Sequence, residues 1–504
     1  MLIPLRFPPG MLKNGTSYNR KGRWTDGNLV RWREGSVRPI GGWEQRRDSS
    51  LVVIPELIAD PDLEAIRDSF AWRSLTQQQC IVFGSNLKLY FVSQTGVVTD
   101  ITPVGVTTSG KDASVQAGYG NNPYGVGSYG VPNDLVAQDP IPPNRWAFTN
   151  FGEILLTCQR AVGDLYELDL GTLTLSTVVN APTDIQDVVV TDERIVLTIG
   201  ADMEPRKVQW SDQEDRTLWA PAIDNQAGSL TLTGGGKLLR AVNVMRQVLI
   251  LGEDTAHTAR YIGPPYVMAF DLVSSNCSLV AAEAVIATSN FAVWWGDRSF
   301  WLYDGSINPL NCEVIEFLNE DVDFGQISKV TGFSNNEFHE VWWLYQSTTS
   351  QTGECDSYVI WNYKENYWNT GRINRTTGLD KGATTVLMMV TREGGIFNHE
   401  LEGVEVVGTA YIESGFLDMQ NGERNVAVRY IYPDTAEVGD TQIEIIGRNM
   451  PTDAPVTYGP YTYANPTPVR AIGRELKFKF TGLTPQFEVG TMRAEVAPAG
   501  GGMR

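Results

Sequence analysis

Histidine is scarce in this chain: only His257, His339 and His399 occur in 504 residues. No HExxH, HxH or GxSxG frame surrounds them, so neither a metalloprotease helix nor a nucleophile elbow is indicated. Each histidine reads as structural, although a triad can still assemble from distant residues. Cysteine is nearly as rare. Cys80, Cys158, Cys277, Cys312 and Cys355 are scattered, odd in number and without a CxxC pair. That spacing excludes a zinc knuckle and a disulfide framework and predicts reduced core thiols. No stretch approaches the roughly 18 apolar residues of a membrane span. The opening residues Met1–Phe7 show no basic leader followed by a long apolar run, so synthesis in the cytoplasm without membrane insertion is expected. Cations are outnumbered: 40 Lys and Arg against 59 Asp and Glu give −19. A surface that grips nucleic acid needs clustered cations to neutralise phosphate, so this balance argues against one. It suits an ordinary acidic protein, or a surface that must not hold DNA. Helical signals are few, the clearest being Pro61–Asp68.

What remains is aromatic and turn-rich. The chain is 42% hydrophobic, with 14 Trp, 49 Gly and 26 Pro, a composition that points to an all-β protein. One pattern recurs: an apolar strand, a Gly/Asp/Asn turn, then a strand rich in aromatics. It begins at Ile81 and again at Ile154, Ile195, Val248, Phe291, Val341 and Val386. The last six starts are 41, 53, 43, 50 and 45 residues apart. That is the blade period of a β-propeller, in which each blade covers the next and long open edges are avoided. The prediction is a propeller of six or seven blades over residues 56–402, with a Gly-rich insertion near 105–140. An ordinary β-sandwich with aromatic hairpins is the alternative. Beyond Glu402, Val407–Ile412, Asn425–Tyr432, Gln442–Ile446 and Glu475–Phe480 alternate apolar and polar residues. This predicts a separate C-terminal β-sandwich-like domain over residues 403–504, ending in a mobile Gly-rich tail.

Motifs that would carry chemistry fail on inspection. Gly234-Gly235-Gly236-Lys237 lacks the earlier glycine of a phosphate loop, and Leu238 stands where Ser or Thr would hold magnesium. It reads as a turn. Asp321-Val322-Asp323-Phe324-Gly325 begins like a calcium loop, but Gly332 takes the twelfth position where the bidentate Glu belongs. No catalytic residue, metal ligand or cofactor site is expected. A propeller glycosidase would need two carboxylates about 5–9.5 Å apart. Trp342, Trp343 and Trp361 would stack on sugar in such a protein; blade-core packing is the plainer role.

The most specific segment runs from Gly22 to Trp43: GRWTDGNLVRWREGSVRPIGGW. Asp26-Gly27 and Glu34-Gly35 read as turns, with a strand between them. Arg20, Arg23, Arg31, Arg33 and Arg38 form the one basic concentration in an acidic chain. They are either a solvated strand face or a dock for an acidic partner subunit, and residues 1–55 are taken as that docking segment. This segment resembles the N-terminal W-x-D-G-N-x-V-R-W-R-x-G-x-x-R-P-x-G-G-W signature of tail nozzle or tail hub proteins of short-tailed bacteriophages, the packaged-DNA-stabilisation kind. Trp72, Asp100-Ile101-Thr102-Pro103, Trp210-Ser211-Asp212 and Trp219 echo it, as do Gly473–Gly482 and Met492–Val496. The matches are dense only at the two ends.

The resemblance implies a structural virion protein and not an enzyme. It implies a homo-oligomer, a hexamer, beneath the adaptor of the head-to-tail connector. Such a ring carries tail fibres or a spike, is closed by a needle or plug, and lets genomic DNA pass its lumen without specific binding. It carries over no catalytic residues. The other two readings are a glycan-binding or glycan-cleaving propeller of a phage tail, and a bacterial propeller scaffold.

Overall fold

The computed structural model describes residues 1–106, 110–114, 141–404, 409–418, 424–434, 439–482 and 487–499. The Gly-rich stretch at Gly118–Gly130 and the last five residues lie outside them.

The chain is all-β, and seven of its sheets share one plan of four antiparallel strands, in sequence order in six of them. Their innermost strands are Ile66–Arg73, Trp146–Phe151, Asp187–Val190, Leu238–Val244, Val285–Ala287, Thr331–Asn335 and Thr377–Leu379. Each of these touches the innermost strand of the sheet before and the sheet after, and the seventh touches the first. Seven sheets closed into a circle are consistent with a seven-bladed β-propeller. Every recurrence seen in the sequence falls on the second and third strands of a blade; Phe291–Gly305, for example, spans Ala292–Gly296 and Ser299–Tyr303. Those strands are buried on both faces by neighbouring blades, so they carry the apolar and aromatic runs.

The seventh blade is closed by the other end of the chain. Gly42–Gln45 pairs antiparallel with Ile396–Leu401 as its fourth strand. Gly41 and Gly42 permit this approach. A Cβ on Gly41 would sit 2.5 Å from the Cα of Glu400, and one on Gly42 would collide with the carbonyl of Val404.

Two further sheets use strands from both chain ends. Leu2–Leu5, Met492–Pro498, Val426–Pro433 and Thr467–Gly473 form one, in that spatial order. Trp24–Asn28, Ala410–Ser414, Glu475–Gly482, Thr441–Arg448 and Val456–Thr462 form the other, with Leu417–Asp418 joined to Glu475–Gly482. Their buried rows, such as Val428, Ile431 and Ala494 against Ile445, Phe478 and Phe480, belong to one hydrophobic core. That core continues through Trp24, Val30 and Trp32 into the fourth to seventh blades.

Two local expectations are corrected. Pro61–Asp68 is a turn leading into the strand at Ile66, with Asp60 Oδ1 accepting from the Asp62 N–H at 3.0 Å. The apolar residues there serve the inner strand of the first blade. Asp26-Gly27 is not a turn but lies inside the strand Trp24–Asn28, paired with Ala410–Ser414; the chain bends instead at Leu29, whose φ is 54°. One seven-residue α-helix, Ile315–Asp321, links the fifth and sixth blades, and no sequence signal marked it.

Candidate functional site

Two places gather charge. The first is the propeller axis, at the end where the inner strands begin. Asp68 of the first blade accepts from Arg145 Nε at 2.8 Å and from the Trp146 N–H at 2.9 Å. Arg145 also donates to Thr331 Oγ1 at 2.8 Å and to the carbonyls of Arg67 and Val330, both at 3.0 Å. One guanidinium thus ties the first, second and sixth blades. Arg67 makes a fork to Glu354, at 3.0 and 2.6 Å. Lys329 lies 3.6 Å from the same carboxylate and 2.5 Å from Asp112. Across the axis, Asp187 takes Arg160 at 3.0 Å and Arg240 at 3.3 Å, and Glu283 takes Arg240 at 2.9 Å and Arg160. That joins the second to the fifth blades. Burial opposes ionisation of Glu283, but Arg240, Arg160 and Arg145 outweigh it and hold its pKa below the ordinary value. At Asp68 burial wins over Arg145 and the pKa is raised.

One cavity beside this network has a volume of about 40 Å³ and is lined by Asp68, Ser69, Phe70, Phe148, Arg240 and Glu283. That volume holds a water molecule or so. These paired charges tie the first six blades together at this end. The carboxylates named here are engaged by cations, an arrangement that rigidifies blades and offers no free acid or base.

The second place is the arginine segment, and the structure separates its five members. Arg31 is buried. Its Nε and Nη2 donate to Glu340 at 2.8 and 2.7 Å, and Nη1 and Nη2 donate to Glu400 at 2.7 and 2.8 Å. The guanidinium also lies over the Phe338 ring at 3.6 Å. Burial disfavours its charge, yet the two glutamates outweigh that and raise its pKa well above the ordinary value. Arg31 is therefore spent inside the chain, fastening the segment to the sixth and seventh blades, and is not available to dock a partner. Arg23 pairs with Glu313 at 2.5 Å. Arg20 donates to the carbonyl of Asn14 at 3.3 Å. Arg38 reaches Glu488 at 2.9 Å from a side chain 43% exposed. Arg33 is exposed at the Glu34-Gly35 turn, where φ is 52° and 84°. Arg31, Arg33 and Arg38 border one cleft of about 400 Å³, shared with Glu337, Phe338 and Glu488. Its cations and carboxylates are mixed, so it is no simple anion site.

The remaining sequence candidates have internal roles. Trp342 and Trp343 are fully buried and Trp361 is 5% exposed, so none offers a face for sugar stacking. Trp343 packs between Phe300, at 4.8 Å, and Trp368, at 6.2 Å. Gly234–Gly236 lies in the link between the third and fourth blades. Asp321 accepts from Tyr345 Oη at 2.7 Å and Arg372 at 2.5 Å, and Asp323 accepts from the Gly325 N–H at 3.0 Å. Among the described residues no group of three or more His, Cys, Asp or Glu is placed to hold a metal ion. The five cysteines are free and buried. His399 Nε2 accepts from Arg375 Nε at 3.1 Å, and its ring stacks on Trp43 at 5.0 Å.

The sequence reading missed the axial network. Its signal was a charged residue at or near the start of six of the seven inner strands, in Arg67-Asp68, Arg145, Asp187, Arg240, Glu283 and Lys329.

No protein-family model matches this chain, and no curated protein is similar to it. Solved structures are. One is a catalytically inactive virginiamycin B lyase from Staphylococcus aureus with quinupristin, at 7% identity and a TM-score of 0.39, covering 68% of this chain and 98% of that one. Another is YCF48 from Cyanidioschyzon merolae, at 8% and 0.38, covering 71% and 98%. A third is the N-terminal domain of Nup159, at 11% and 0.38, covering 75% and 98%. The fold rests on the circle of seven sheets, and these distant likenesses bear on fold alone.

Proposed function

We propose that the chain is a structural subunit of the tail of a short-tailed bacteriophage, one copy in a nozzle or hub ring below the adaptor. In this reading the circle of blades is the body. Residues 403–504, with strands borrowed from residues 2–28, are a β-sandwich-like module attached to it. The ring has six copies, extends the path of the ejected genome and carries fibres or a needle. It acts without catalysis and without a cofactor.

The observation that carries the reading is the signature segment Gly22–Trp43. Its shared residues are the fasteners of this architecture: Arg31 clamps Glu340 and Glu400, Gly41 and Gly42 admit the closing strand, and Trp43 stacks on His399. A signature made of fasteners marks a shared scaffold. The net charge of −19 fits a surface over which DNA slides, because few cations are available to displace counterions. In this reading the genome passes through the opening of the ring, between copies. Negative-stain images of the purified chain mixed with the adaptor of the same virion test this. Closed rings with an open centre support it, and single propellers with no adaptor-bound ring contradict it.

A further inference from the structure

The excess of acid is not spread evenly. Residues 56–402 carry 43 Asp and Glu against 21 Lys and Arg, a net of −22, whereas residues 403–504 carry 12 against 9. The sheet of Leu2–Leu5, Met492–Pro498, Val426–Pro433 and Thr467–Gly473 concentrates the contrast on one face. Its inner rows are buried and its outer rows look into solvent. The register sets the outer rows side by side. Leu2 lies opposite Glu495, which lies opposite Tyr430, which lies opposite Pro468. In the next row Pro4 faces Arg493 and Arg493 faces Tyr432. A bulge between Val428 and Tyr430 turns Arg429 outward as well, and Arg470 is exposed on the neighbouring edge strand.

Arg429, Arg470 and Arg493 are all exposed, and no described carboxylate pairs with any of them. The one acid in these rows, Glu495, accepts from Tyr432 Oη at 3.0 Å. Apolar surface lies between the cations: Leu2 is 52% exposed, Ile472 48% and Tyr430 39%. Arginines with no described counter-charge, set among aromatic and aliphatic groups, have the composition of interface cores. A cationic face on a strongly anionic molecule has a complementary surface at hand, namely another copy of the same molecule.

We infer that this outer sheet face docks the acidic propeller of a second copy of the chain. The contact is head to tail, because the basic face lies on the outer sheet and the acidic excess lies on the propeller. A heterologous contact of that kind closes into a ring when its rotation divides the circle. The inference rests on the ring proposed above and names the surface that builds it.

The test is the solution mass of the full chain by light scattering across a concentration series, beside a variant carrying Arg429→Glu, Arg470→Glu and Arg493→Glu. These side chains point to solvent, so far-UV circular dichroism of the variant should match the wild type. Like charges brought face to face shift the assembly midpoint to at least about tenfold higher concentration. Raising the salt concentration dissociates the wild type in the same direction, because exposed pairs are screened, and this needs no substitution. A variant that assembles like the wild type, at a salt-independent midpoint, overturns the inference and leaves the ring to another surface. A wild type that stays monomeric at its highest soluble concentration also overturns it, and the ring itself is then judged from the adaptor-bound assembly.

Discussion

Replacing Arg31 by methionine removes the one cation shared by two buried carboxylates. The guanidinium makes four hydrogen bonds of 2.7–2.8 Å to Glu340 and Glu400, and the three side chains are 5%, 1% and 4% exposed. Breaking a buried pair by removing one partner costs about 3–5 kcal/mol, because the other charge stays buried without compensation. Here two carboxylates are left, so the cost belongs at the upper end, about 5 kcal/mol. Domain stabilities are about 5–15 kcal/mol, so this one substitution removes a third or more of the total. Urea unfolding followed by tryptophan fluorescence reads it directly. Adding Glu340→Gln and Glu400→Gln to Arg31→Met should recover more than half of the loss, since the residual charges are then gone. A loss under about 1 kcal/mol for Arg31→Met, the size of an exposed pair, would refute the reasoning and return Arg31 to the role of an available docking residue.

Further outcomes are expected elsewhere. His399 is buried, and burial followed by the charge of Arg375 holds its pKa well below the ordinary 6.5. Below that value the unfolded chain binds a proton that the folded chain refuses. Stability is therefore full above about pH 6.5 and falls as pH drops, by up to about 1.4 kcal/mol per unit. His399→Gln keeps an acceptor for Arg375 and should flatten the urea midpoint between pH 5 and 7 relative to the wild type. Trp343→Ala removes a fully buried ring and leaves the carbonyl of Ala284 without its 2.9 Å donor; a loss of about 3–5 kcal/mol is expected in the same assay. Arg38→Ala, which removes a partly exposed pair, should change stability by under about 1 kcal/mol. All five thiols are buried and free, so a thiol-reactive dye should label none in the native chain and all five on denaturation.

The sequence disclosed the middle of each blade and hid its margins. Second and third strands such as Val341–Tyr345 and Tyr358–Asn362 are covered on both faces, so they are written as dense apolar and aromatic runs. Inner strands such as Ile66–Arg73 mix charge with apolar residues because they face the axial ion network. Outer strands such as Thr174–Thr177 are mostly exposed. Neither kind repeats legibly. The closing strand Gly42–Gln45 pairs with residues some 350 positions away, and no local pattern announces a partner at that distance. The arginines of the N-terminal segment stood out by composition, but composition does not reveal a counter-charge. Glu340 and Glu400 lie on strands of the sixth and seventh blades, 309 and 369 residues further along the chain, so Arg31 looked free when it is the most enclosed of the five. The axial network was visible only as single charges at the starts of inner strands, and those starts could be placed only once the blades were known.

The central claim is that copies of this chain form a ring beneath the adaptor of a short-tailed phage. Mass measurement by light scattering, on the chain alone and with that adaptor, tests it most directly. The account predicts a closed oligomer, six copies on the adaptor, whether or not the ring forms unaided. A chain that remains monomeric and ignores the adaptor would contradict it.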